Sequence, residues 1–295
     1  MHECRGKWQI YARLLSRLVA LTMLGVFAAG QVSAQTAPGR PATSPPTNAG
    51  QVPQIDMGLR FGLEPKALAI LQAACGRLAA AKTMSFTAIA QYESPARTGQ
   101  PLAYLTLSEV TLERPNKLRV ITPYDGPPSE FYYGGRTVMA YEPEADMVAI
   151  AKAPPTIDEM LKAAYDVAAI YFPFTDLIVS DPCKDLTPGL KVAFVMGQSR
   201  VIGDTSTDII VLANKTAQAQ LWIGATDHLP RMFRVTYFDE PGHYRHQVVL
   251  SHWLIDPPLQ HGTFTSAAAA NARRMQFGAP GDKLPQAPAG GGNKP

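Results

Sequence analysis

Apolar residues recur along this chain with two different periods, and the switches between them mark out the elements. Behind Pro65, which suits a first helical turn, Leu68, Leu71, Cys75 and Leu78 fall three or four residues apart and predict a helix. From Ser85 the period becomes two. MSFTAIAQYE (84–93) and LAYLTLSEVTLE (102–113), joined by a turn containing Gly and Pro, predict a hairpin. Arg114-Pro115-Asn116 breaks the run, and KLRVIT (117–122) follows as a third strand. The stretch 130–151 reads as strand, Gly-Gly turn, strand, a turn from Pro143 to Asp146, and strand.

A helix then interrupts the meander. Thr156 and Glu159 have capping-box spacing, in which the Thr hydroxyl accepts from the N3 amide and the Glu reaches back to the Thr amide. Ile157, Met160, Leu161, Ala164, Ala168 and Tyr171 share one face of a helix running from Thr156 to about Phe172. A short helical piece is predicted from Phe174 to Ile178, and strands resume at 190–198, 207–213, 219–224, 230–239 and 244–255. The connections are short and polar, whereas parallel strands need crossovers of a dozen residues or more. The pattern predicts an α+β fold: one curved antiparallel sheet with helices on one side.

The N-terminus departs from this scheme. Arg5, Lys7, Arg13 and Arg17 precede an apolar run from Leu18 to Ala29, which ends in Val32-Ser33-Ala34. This is the layout of a cleavable secretory signal over residues 1–34, with cleavage before Gln35. A run of about 12 apolar residues at 1.5 Å each is too short for a ~30 Å hydrocarbon core. No later stretch is long and apolar enough to span a membrane, so no stable membrane insertion is expected. Residues 35–56, rich in Pro, Ala and Thr, read as a disordered linker, and residues 278–295 as a disordered tail. The domain proper is 57–277.

Charge changes the picture once the leader is set aside. The chain carries 27 basic and 24 acidic residues; the leader holds four and one of these, leaving 23 of each. A neutral body without basic clusters excludes nucleic acid as a partner.

Candidate chemistry is sparse. G-x-S-x-G, P-loop, H-E-x-x-H and C-x-x-C patterns are missing, so no catalytic residue and no cofactor is assigned. Outside the leader the histidines are His228, His243, His246, His252 and His261. His246 and His252 fall on one face of a predicted strand, about 20 Å apart at 3.4 Å per residue, too far to share an ion. They read as solvated strand and turn residues, and no metal site is assigned. Cys75 and Cys183 form an even pair outside the leader, a candidate disulfide; two separate thiols are the alternative. Tyr104, Tyr132, Met139, Tyr141, Trp222, Phe233, Tyr237 and Trp253 lie in predicted strands, where core packing would account for most of them.

Six segments carry a wider pattern: RPNKLRV (114–120), FYYGGRTVMAYEPEADMVA (131–149), APPTIDEML (153–161), YFPFTDLI (171–178), QLWIGATDHLPRMFRVTY (220–237) and SHWLIDPPL (251–259). Together they resemble a family of predicted periplasmic proteins known as domain of unknown function 2092. That family is similar in architecture to the lipoprotein-carrier superfamily. The resemblance implies a strongly curved, unclosed barrel of about 10–11 antiparallel strands. Helices would cover its concave face over a hydrophobic cavity, with the helix after Pro155 as lid. It further implies a periplasmic, non-enzymatic protein that binds an apolar or lipid-like ligand or a lipoprotein. On that reading the eight strand residues above, with Met160 and Leu161 of the lid, line the cavity. The alternative is an envelope protein-interaction or sensor module without a small ligand. Two departures from the family pattern stand out: the run FTSAAAANARRMQF (264–277) replaces an aromatic strand, and Ile209 replaces a His.

Overall fold

Twelve strands hydrogen-bond into one sheet. The structure is a computed structural model that describes residues 62–184, 186–239 and 242–278. The expected signal (1–34) and linker (35–56) lie outside the described residues, as does the tail beyond Gly278. In chain order the elements begin with α1 (Pro65–Ala80), β1 (Thr83–Pro95), β2 (Pro101–Glu113) and β3 (Lys117–Thr122). Next come β4 (Ser129–Gly134), β5 (Thr137–Glu142), β6 (Met147–Lys152), α2 (Ile157–Ala168) and α3 (Thr175–Ile178). The second half of the sheet is β7 (Val192–Ser199), β8 (Thr207–Ala213), β9 (Ala217–Gly224), β10 (Pro230–Tyr237) and β11 (Arg245–Ile255). Last are α4 (Ala267–Asn271) and β12 (Arg273–Met275). The sheet order is β12-β6-β5-β4-β3-β2-β1-β11-β10-β9-β8-β7.

The two ends of the sheet, β7 and β12, do not pair with each other, so the barrel stays unclosed. Eleven strands fall where period-two alternation placed them. The twelfth lies in the Ala-rich run near the C-terminus and pairs parallel to β6, Arg273 opposite Met147, which corrects the all-antiparallel expectation. An alanine-rich run has neither period, so neither α4 nor β12 could be read from it.

Helices cover one face of the sheet. Ala67, Leu71 and Cys75 of α1 pack on Ala193, Ile210, Leu212 and Ile223 of β7–β9. Ile157, Met160 and Leu161 of α2, with Phe174, Leu177 and Ile178, pack on the same face of β1–β4 and β11 through Phe86, Leu112, Leu118, Phe131 and Val248. The opposite face is covered at one edge, where Ala269 of α4 and Ala272 meet Tyr141 and Val148. The chain then turns around the β6 edge as β12 and returns to the helix face, where Phe277 joins the main core.

α2 begins as its sequence requires. The Thr156 hydroxyl accepts from the Glu159 amide at 3.2 Å and donates to the Glu159 carboxylate at 3.0 Å. Its end comes four residues earlier than expected, at Ala168, because Ala169 adopts a left-handed conformation at φ 52°. The Ala169 amide then donates to the Tyr165 carbonyl at 2.9 Å, the bond of an αL cap, and the Ile170 amide to the Ala164 carbonyl at 3.2 Å. Glycine is the usual signal for such a stop, and alanine at this position conceals it. Cys75 and Cys183 are joined by a disulfide that ties α1 to the loop after α3, 108 residues away.

The break at Arg114 also anchors the helices. The Arg114 guanidinium reaches back under the lid and donates to the Ile178 carbonyl at 2.9 Å and the Leu78 carbonyl at 3.5 Å. The Pro115 carbonyl accepts from the Ile157 amide at 2.8 Å. Asp158, whose charge supports the guanidinium, accepts from both the amide and the hydroxyl of Ser180. One β-turn thus fixes the end of α1, the start of α2 and the end of α3.

Candidate functional site: a cleft beneath the lid

Both walls under the second half of α2 are built from alanine, and packing leaves space there. β5 and β6 present Ala140, Ala149 and Ala151 to the helix face, and α2 answers with Ala164 and Ala168. Elsewhere the same sheet face carries Met84, Phe86, Leu112 and Leu118, which fill their positions completely. The result is a cavity of about 370 Å³, partly open to solvent, bounded by β3–β6, by Ile170 and Phe172 after the lid helix, and by Phe277. A smaller cavity of about 80 Å³ extends toward the start of α2, past Val138, Ala151 and Met160. The two share Phe131, Ala168, Ile170 and Phe277, which form the waist between them. A six-residue strand spans about 20 Å, so cavities at its two ends make an elongated slot rather than a round pocket.

The lining is apolar except at the rim of the larger cavity, where Thr122, Ser129, Glu130 and Glu142 lie. Tyr132 donates its phenolic proton to the Glu130 carboxylate at 2.7 Å. Burial, reinforced by that carboxylate, holds the Tyr132 phenol above its ordinary range.

The aromatic and lid residues singled out from the sequence disperse. Met160 lines the smaller cavity, whereas Tyr141 borders the larger one from a strand position whose side chain packs on the other face against Ala269 and Ala272. Met160 is 1% exposed and belongs to the main core together with Leu161, Phe233 and Trp253. Trp253 donates its indole N–H to the Pro230 carbonyl at 2.8 Å and sits 4.5 Å from the Phe86 ring. Tyr132, Met139 and Trp222 lie on the other sheet face. Met139 packs with Tyr141 near α4, and Trp222 pairs across strands with Met232 and Ile209. Tyr104 stacks on Tyr92 in the β1–β2 hairpin, and Tyr237 ends β10. Selecting large aromatics therefore missed the alanines and Ile170, Phe172 and Phe277. The signal that could have found them is the recurrence of alanine on both facing elements.

One histidine departs from the solvated reading. His246 is 8% exposed, on the helix-covered face of β11, with its ring 5.8 Å from Phe233. Burial pushes its imidazole down from 6.5 to about 4. His252 does not share that face: it sits at φ 54° in a bulge where His252 and Trp253 together oppose Phe86, and it is exposed. Between pH 6.5 and 4 the unfolded chain holds the proton that native His246 lacks, so the unfolded state binds more protons in that window. Stability is complete above 6.5 and falls as the pH drops through it. At pH 5 the loss should be about 2 kcal/mol relative to pH 7. Urea midpoints at the two pH values should show it in the wild type and not in His246→Leu. An equal acid sensitivity in both would refute the assignment.

Among the described residues, no group of three His, Cys, Asp or Glu side chains could hold a metal ion. None of the described helices is long and apolar enough to cross a membrane.

A family model described as "Predicted periplasmic protein (DUF2092)" matches residues 67–278. No curated protein matches the chain. Among solved structures it is similar to the lipoprotein LppX of Mycobacterium tuberculosis, at 14% identity and TM-score 0.42, covering 67% of this chain and 98% of that one. LprF from Mycobacterium bovis gives 13% identity and TM-score 0.43 over 70% of this chain and 100% of its own. The LolA superfamily protein NE2245 from Nitrosomonas europaea gives 10% identity and TM-score 0.34, over 68% and 97%.

Proposed function

The chain belongs to the DUF2092 family of predicted periplasmic proteins, and from that premise we propose that it is a carrier for a single-chain apolar or acylated ligand, held between sheet and lid. The observation that supports this is the alanine-walled slot beneath α2. At roughly 30 Å³ per small group, comparable to a water molecule's share of liquid volume, the larger cavity of about 370 Å³ holds a chain of about 12 methylenes. Such volumes lie at the lower end of ordinary ligand sites and suit one chain rather than two.

Energetics favours an apolar occupant. At ~0.8 kcal/mol per buried methylene, 12 of them contribute on the order of 10 kcal/mol before the cost of immobilising both partners. With at least about 4 kcal/mol lost to immobilisation, about 6 kcal/mol is left, a complex in the tens of micromolar, tight enough to carry and weak enough to hand over. The lid suits loading. Its first turn is fixed by the Pro115 and Asp158 bonds, whereas its last turn borders the cavity at Ala168. Any polar head group would lie at the rim with Thr122, Ser129 and Glu142.

Native mass spectrometry of protein taken from the periplasm, without detergent, provides the test. The expected spectrum contains a mass increment of one single-chain acyl compound. A spectrum of bare protein, or of protein bound only to another polypeptide, would favour the docking-module reading instead.

A further inference from the structure

The β1–β2 hairpin carries a strand edge that the sheet does not use. β1 and β2 pair without interruption from Thr83↔Glu113 to Pro95↔Pro101. β3 covers only Glu109–Glu113 of β2, and the chain then leaves the sheet after Thr122, whose hydroxyl lies 3.3 Å from that of Ser108. Among the described residues, no strand pairs with Pro101–Ser108 on the side away from β1. At about 3.4 Å per residue this is roughly 27 Å of open edge.

Natural sheets protect such edges with charges, bulges or coverage. Here PLAYLTLS (101–108) contains no charged residue, its register with β1 has no bulge, and Leu102 and Leu105 are 47% and 58% exposed. Only Pro101 blunts it, at the tip end. We propose that this edge is a docking site for an extended peptide segment of a partner protein, added antiparallel to β2 in line with β3.

A second copy of this chain fits poorly. With Tyr104 on a twofold axis, the partner hairpin's tip (97–99) would fall opposite Glu109–Thr111, where β3 already pairs. A free-ended peptide meets no such obstacle, and the gap accepts six to eight of its residues. Charge sets its direction and chemistry. Glu109 and Asp125, both exposed, stand at the β3 end; Arg97, also exposed, stands at the hairpin tip. An antiparallel segment enters with its N-terminal end at the acidic side and leaves at Arg97. It should carry a basic residue first, an uncharged alternation of β-branched and apolar residues, and an acidic residue last. Backbone bonds supply affinity in this mode, and the flanking charges supply register.

The test uses the full chain and a labelled synthetic peptide, Lys-Val-Thr-Ile-Thr-Val-Glu, followed by fluorescence polarisation. Saturable binding is expected. Of two versions N-methylated on alternate residues, the one blocking the amides that face β2 should lose at least tenfold, and the other should bind as the parent does. A peptide with the end charges exchanged should also weaken tenfold, and Leu105→Lys, at an exposed position, should weaken all of them while leaving acyl-probe uptake unchanged. No binding of the parent peptide, or equal binding of the two methylated forms, would overturn the proposal.

Discussion

Replacing Cys75 and Cys183 together by alanine is expected to lower the unfolding free energy by about 4 kcal/mol. The bridge closes a loop of 108 residues, and constraint of the unfolded chain grows with the length of such a loop. Its position makes the loss local as well as global. Cys75 faces the β7–β9 part of the core, beside Leu71 and Ile223, and α1 has no acidic residue in its first turn to favour helix formation there. Urea denaturation with and without reductant measures the effect directly. A wild-type midpoint unmoved by reductant, with both thiols shown to be free after treatment, would contradict it.

Arg114→Met should cost about 3 kcal/mol. The guanidinium donates to two helix-end carbonyls, Ile178 and Leu78, and hydrogen bonds from charged groups contribute about 1.5–3 kcal/mol each. Burial works against the charge and pulls the guanidinium below its ordinary range, with Asp158 opposing that effect. The gain from two bonds is therefore reduced, which sets the figure near the lower half of their sum. The variant should also loosen the start of α2. Faster amide exchange at Met160 and Leu161, with strands β8–β10 unaffected, would separate loss of the anchor from uniform destabilisation. A stability change below about 0.5 kcal/mol, the size of an ordinary surface substitution, would show that the turn does not hold the helices.

The sheet and the lid were legible because their apolar positions repeat: LAYLTLSEVTLE alternates, and Ile157, Met160 and Leu161 recur on one helical face. The Thr156–Glu159 pair marked the helix start for a reason that acts locally, within one turn. Features that depend on contacts between distant residues were not legible. A bulge opposite Phe86 inserts one residue into β11 and turns Trp253 inward, where uninterrupted alternation would leave it beside Val249 and Ser251. Nothing in HQVVLSHWLI announces the extra residue. The same shift separates His246 from His252. At the site, the sequence drew attention to large side chains, whereas the cavity is made by small ones that meet only after β5, β6 and α2 have packed. The last strand escaped notice because β12 gains its pairing from β6 and not from its own pattern.

The measurement that bears most directly on the carrier reading is titration of a dansyl-labelled undecanoyl probe into wild type and Ala168→Trp. Met160→Asp is unsuited to it, since a charge in the main core would unfold the domain along with the site. Ala168 borders both cavities at their waist and is only half-buried, so an indole there fills the slot without overpacking the core. The account predicts saturable uptake in the tens of micromolar by the wild type and at least tenfold weaker uptake by Ala168→Trp, at an unchanged unfolding midpoint. A wild type that takes up no probe, or a variant that binds it equally well, would contradict the account.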